Sequence, residues 1–206
     1  EDLICSRYTV EILSGVPVGK LGVSANVVKN GKRTAVAEAS ITHEGKLLAR
    51  ATSQWLSRPK DLTGKQISVP PIPSQRANPG AHPDMEYPRP GFNADAVELR
   101  VITGSTEESG PGLIWARLDH ALIAGESASK FQQVATLSDL GAAVGFEYAE
   151  GEQSFINTDV TLQLLRLPQS EWILLDSAVE RSSTNLACCR TTVIDEIGVI
   201  GLVLQS

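Results

Sequence analysis

The chain has 206 residues, a mass of 22.0 kDa and a formal charge of −6 at pH 7, room for one large domain or two small ones with a core that needs no disulfide or metal staple. At 42% hydrophobic and 20% charged residues the composition is that of a globular protein, and no apolar run approaches the roughly 18 residues of a membrane span. The acidic balance argues against nucleic acid, whose phosphates need clustered Lys and Arg. Glu1-Asp2-Leu3-Ile4-Cys5 has neither the basic flank nor the apolar core of a secretion signal, so a cytoplasmic location is expected.

In chain order, the first segment reads as four strands: Tyr8–Leu13, Leu21–Lys29, Thr34–His43 and Leu47–Trp55. Asn30-Gly31 is expected to form a tight hairpin with φ > 0 at both residues, and Glu44-Gly45 marks a second turn. Eight of the eleven prolines then fall between Pro59 and Pro90. Each fixes its own φ and removes a donor, so residues 58–90 are expected to be a connector without regular elements. This divides the chain into a first half (1–57), the connector (58–90) and a second half (91–206).

In the second half, Val97, Leu99 and Val101 alternate with polar residues as in a half-buried strand, and Ile114–Leu118 reads as another. Ser127–Val144 reads as a helix apolar on more than one face and therefore largely buried, with small residues (Ala135, Ser138, Gly141, Ala142) that allow close approach to a sheet. Four more strands are expected, at Phe155–Arg166, Glu171–Glu180, Leu186–Ile194 and Val199–Gln205, in meander order. Pro17 and Gln54 match Pro168 and Gln205 at a common spacing of about 151 residues, which suggests a duplicated unit. The unit, a buried helix wrapped by an antiparallel sheet, is an α+β hot-dog arrangement. The first half has no counterpart of the helix, and an N-terminal segment preceding residue 1 is expected to supply it.

Asp139 is the only acid between Ser127 and Gly145. A carboxylate on a buried helix is costly unless it is paired or hydrogen-bonded, and it suits a general base or a water-orienting group. Asn157 and Gln205 are neutral amides able to hold a water or donate to an oxyanion, and Thr158, Asp159 and Thr161 lie near enough in sequence to share that role. The alternative reading is that Asp139 faces solvent, Asn157 is a turn residue at a strand entrance and Gln205 an exposed terminal residue. Cys188 and Cys189 are neighbours on a strand, so they point to opposite faces and do not pair. No CxxC is present and the three histidines are scattered, so reduced thiols, no metal and no cofactor are expected.

Several stretches together resemble the thioesterase-like double hot-dog family, related to the type II acyl-CoA thioesterases. They are Gly125-Glu126-Ser127, Ser138-Asp139, Phe155 to Thr161, Arg166-Leu167-Pro168, Glu171 to Asp176, Gly198 to Gln205, Thr9 to Ile12 and Glu38-Ala39-Ser40. The resemblance implies hydrolysis of an acyl thioester, carried by coenzyme A or a carrier protein. It places the family's catalytic Asp on Asp139, its Gln on Gln205, and its Thr or Ser hydroxyl position on Asn157, a departure from the pattern. Thr158 and Thr161, from their nearness to Asn157, are expected to contact the substrate, and the remaining sheet edges invite pairing into a homo-oligomer. Non-hydrolytic binding of an acyl or polyketide-like ligand, or dehydration or cyclisation in the same cavity, is the alternative.

Overall fold

The computed structural model describes residues 3–57, 78–85, 91–104, 110–145, 157–183 and 186–206. The first half supplies four strands, β1 (Leu3–Ile12), β2 (Gly22–Asn30), β3 (Thr34–His43) and β4 (Lys46–Ser57). Then follow β5 (Asp84–Met85), helix α1 (Phe92–Ala96), β6 (Val97–Thr103), β7 (Gly112–Leu118), helices α2 (Lys130–Leu137) and α3 (Leu140–Val144), β8 (Asp159–Leu164), β9 (Ile173–Arg181), β10 (Ala187–Ile194) and β11 (Val199–Gln205). The strands form one antiparallel sheet in the order β2-β3-β4-β1-β8-β11-β10-β9-β7-β6-β5. Among the described residues no helix is long and apolar enough to cross a membrane.

Strand order departs from a simple meander. β8 does not neighbour β9; it lies beyond β11 and pairs with β1, because β9 takes β7 on its other side. The two four-strand groups, β2-β3-β4-β1 and β9-β10-β11-β8, therefore repeat each other in order and meet at the β1–β8 pair. The spacing between them is 152, the separation of the paired Thr9 and Thr161, rather than 151. Ala37↔Ser53 falls on Cys189↔Gln205, and Ala25↔Ala39 on Ser177↔Thr191. One residue matters, because strand side chains alternate between faces and a slip of one exchanges them. Ser53, not Gln54, is the counterpart of Gln205.

Three local expectations are corrected. Neither Asn30 nor Gly31 has φ > 0; Asn30 stays paired with Ala35, and the wider loop is closed by the Gly31 N–H donating to Thr34 O at 3.0 Å. The left-handed pair is Glu44 (φ 49°) and Gly45 (φ 79°), between the paired His43 and Lys46. Residues 58–77 and 86–90 of the connector lie outside the described residues, yet the rest is not irregular. A 3-10 turn at Pro79–Ala81 begins on a proline, where no N–H is needed, and Asn78 caps it by accepting from the Gly80 N–H. The two residues of β5 then pair with β6.

The third correction is the helix, which is two segments. A capping box starts α2: Ser129 Oγ accepts from the Gln132 N–H, and Gln132 Oε1 accepts from the Ser129 N–H. At its end Ser138 Oγ donates to Ala135 O, while Ser138 and Asp139 keep helical φ and ψ, so α3 continues the direction of α2. Beyond the Ser138-Asp139 turn, the Ala142 N–H finds the side chain of Gln205. Val134, Leu137, Leu140 and Val144 pack on Ile114, Leu175 and other buried residues of the second-half sheet, and this is the main core. Every residue of β2, by contrast, is exposed.

Asp195, fully buried in the β10–β11 turn, is held by both Nη atoms of Arg166 (2.7 and 2.6 Å) and by the N–H groups of Gln169, Ile197 and Gly198. Burial pushes its pKa up, but these five donors outweigh it and hold the pKa at about 2. Of the adjacent thiols, Cys188 is exposed and Cys189 buried, as alternation requires, and both are free.

Candidate active site

The site forms where α3 meets the end of β11. Gly141 makes the approach possible: a Cβ there would lie 2.1 Å from Thr191 Oγ1 and 3.1 Å from Gln205 Oε1. Alternation along β11 turns Val203 and Gln205 to the helix side. Gln205 is 1% exposed, and its partners set the orientation of its amide. Oε1 accepts from the Ala142 N–H at 3.0 Å, which leaves Nε2 to donate to Asp139 O and Asp139 Oδ1, both at 3.1 Å. Asn157, two residues before β8 rather than within a strand, donates from Nδ2 to the same Asp139 Oδ1 at 3.1 Å.

Asp139, Asn157 and Gln205 are thus brought together by three separate parts of the chain. The residue Asp139 is exposed by surface area, because the cleft beside it is open. Protein nonetheless crowds its carboxyl, and that desolvation raises its pKa above the usual carboxylate value of 3.8, against the lowering effect of the Asn157 and Gln205 donors. A carboxylate raised in pKa, held by two neutral donors and open to a cleft, is equipped to take a proton from water.

Thr158 and Thr161 do not join the cluster. Thr158 ties the site together from behind: its N–H and Oγ1 donate to Ser206 O, and its carbonyl accepts from the Ile12 N–H at 2.8 Å. Thr161 lies on the other face of β8, where its hydroxyl bonds Thr9 Oγ1 at 3.3 Å. The Ser53 position, counterpart of Gln205, carries a hydroxyl that accepts from Trp55 Nε1 at 2.9 Å. Among the described residues, no group of three or more His, Cys, Asp or Glu side chains is placed to hold a metal ion.

A cleft of about 370 Å³ runs from Asp139 between α2 and β1, lined by Tyr8, Val10, Ile12, Phe131, Ala135 and Val160, with Gln132 and Thr136 also on its wall. The contribution of β1 was not legible in the sequence. Its Tyr8-x-Val10-x-Ile12 alternation signals an apolar face, but only the β1–β8 pairing places that face opposite α2.

A long antiparallel sheet carrying a short buried helical element on one face defines a hot-dog fold. Comparison with solved structures agrees. The chain is similar to a hot-dog-fold protein of unknown function from Alicyclobacillus acidocaldarius (TM-score 0.74, 16% identity, covering 98% of this chain and 76% of that one). It is also similar to an acyl-CoA thioesterase II, TesB2, from Mycobacterium marinum (0.71, 12%, 98% and 79%). A third similar structure is a TesB protein from Mycobacterium avium subspecies paratuberculosis (0.69, 15%, 98% and 77%). A search of curated proteins found no match. Residues 68–206 match the family model of the acyl-CoA thioesterase C-terminal domain. The chain belongs to that family, a thioesterase-like family related to the type II acyl-CoA thioesterases.

Proposed function

We propose that this protein hydrolyses an acyl thioester, with Asp139 as the general base. The observation that carries the reading is the convergence of the Asn157 and Gln205 amides on one oxygen of Asp139, at the mouth of an apolar cleft. The acyl chain enters the cleft and the thioester carbonyl sits beside Asp139. With both donors on Oδ1, Oδ2 takes a proton from a bound water as that water attacks the carbonyl. The tetrahedral intermediate then collapses with cleavage of its C–S bond. The departing thiolate takes the proton back from Asp139, leaving the free acid, the thiol and an ionised Asp139. The second amide hydrogen of Asn157 steadies the water or the developing oxyanion. Asn157 is favoured as the oxyanion donor over the start of α2, because Asp139 lies nine residues beyond Lys130, about 13 Å along a helix.

In this reading the chain is a double hot-dog, supported by the repeated strand order and the constant 152-residue spacing. Among the described residues it has one such centre, since the Ser53 hydroxyl does not supply the amide donors of Gln205. The thiol partner is coenzyme A or a carrier-borne thiol. The departure at Asn157 favours a second reading, an acyl-binding hot-dog without turnover, because an amide cannot pass a proton as a hydroxyl can. Thiol release from acyl-CoA by the intact chain separates the two: turnover that depends on Asp139 supports hydrolysis, and saturable binding without turnover supports the alternative.

A further inference from the structure

The cleft has a length as well as a volume. Phe131, Ala135 and Asp139 stand at successive four-residue steps, on one face of α2 and its continuation. Across from them, Ile12 lies at the Asp139 end, where its N–H bonds Thr158 O, and Tyr8 lies four residues away at the other end. The eight residues from Asp139 to Phe131 span about 12 Å of helix, and the four from Ile12 to Tyr8 about 13 Å of strand. At the far end the Tyr8 and Phe131 rings meet edge to face with centroids 5.5 Å apart. Trp55 packs against Phe131 at 6.1 Å. Between the two ends the wall is formed by Val10, Ala135 and Val160.

We infer that this cleft is a slot of limited length for a straight, medium-length acyl chain, and that Phe131, held by Tyr8 and Trp55, is the residue that sets the limit. The inference rests on the thioesterase reading and names its substrate class. An extended alkyl chain advances about 1.25 Å per carbon when its bonds are about 1.5 Å long, so about 12 Å takes eight to ten carbons. Each further methylene within the slot should raise kcat/KM about fourfold. The gain should stop where the chain meets the Phe131 ring.

The test is thiol release from straight-chain acyl-CoAs, from butanoyl- to hexadecanoyl-CoA, by the wild type, Phe131→Ala and Phe131→Trp. The expected optimum of the wild type is at about eight to ten carbons. Phe131→Ala should move it to longer chains and Phe131→Trp to shorter ones, a pair of opposite shifts that partial unfolding does not produce. An optimum that stays in place in both variants overturns the inference. If the wild type releases no thiol from any of these substrates, the hydrolysis reading fails by itself, and titration calorimetry with the same acyl-CoAs then decides about the slot. An affinity optimum at the same length, displaced in opposite directions by the two variants, supports it. Binding independent of length, or no binding, overturns it.

Discussion

Replacing Gly141 by alanine tests how α3 is seated on the sheet. Its φ is not positive, so alanine suits the backbone and by itself would stabilise by about 0.4–1 kcal/mol through the unfolded chain. The obstacle is space. The new methyl would lie 2.1 Å from Thr191 Oγ1, where ordinary contacts are about 3.5 Å, so α3 must retreat by more than about 1 Å or Thr191 must turn. Thr191 is fully buried and bonded to Ser177 at 2.8 Å, so it has little freedom to turn. Overpacking of this kind costs about 1–3 kcal/mol. Retreat of α3 also breaks the Ala142–Gln205 bond and leaves buried groups unpaired, about 1–3 kcal/mol more. The expected net loss is about 2–5 kcal/mol, a fall in Tm of about 5–15 °C for a chain of this size. Thermal denaturation measures it. Gly22→Ala is the control, because Gly22 is exposed and the one atom its Cβ would crowd is the rotatable hydroxyl of Thr42. A Gly141→Ala protein as stable as the wild type, or more stable, would refute the close seating of α3 and with it the placement of Gln205.

Three further outcomes are expected. Asp195→Asn should destabilise by about 3–5 kcal/mol, since it leaves Arg166 facing a neutral partner; urea denaturation at neutral pH measures this. Because the folded pKa of Asp195 is depressed from 3.8 to about 2, its contribution, about 2 kcal/mol, is present above pH 3.8 and is lost as pH falls through about 2; the variant should lack that part of the acid transition. Asn157→Leu should lower kcat by about 100-fold or more while leaving Tm within a few degrees, whereas Asn157→Thr should retain turnover; steady-state thiol release against acyl-CoA checks both.

The strands were legible where an apolar residue recurs at every second position and a turn residue closes the run, as at Thr34–His43 and Val199–Gln205, whose bounds match β3 and β11. What neighbours what was not, because strand order depends on contacts between distant segments. Nothing in the alternation of Asp159–Leu164 announces pairing with β1 and β11 in place of β9. The duplication was visible in outline but one residue out. The landmarks Gln54 and Gln205 match in type, yet in the register Gln54 points to the opposite face from Ser53. The helix was read as continuous because its apolar pattern is continuous. The interruption depends on Gln205, 63 residues away, accepting from the Ala142 N–H, which the apolar pattern does not announce. Within the site, Asp139 stood out as a lone acid on an apolar helix and Gln205 as an amide ending the last strand, whose burial the sequence did not announce. Thr158 supports the site from behind through Ser206 and Ile12, and alternation turns Thr161 away from it.

The account rests most heavily on Asp139, and Asp139→Asn tests it most directly. Thiol release is measured from pH 4 upward for both proteins, beside their thermal denaturation. A general base works only when deprotonated, so wild-type turnover should fall on the acid side through an apparent pKa above the ordinary carboxylate value of 3.8. The raised folded pKa also means that the protonated form of Asp139 is the better tolerated in the fold. Its contribution to stability is therefore present below the unfolded pKa and lost as pH rises through the folded one. At neutral pH, Asp139→Asn should accordingly abolish turnover while unfolding at the wild-type temperature or above it. Full turnover in the variant, or a loss of turnover accompanied by a large fall in Tm, would contradict the account.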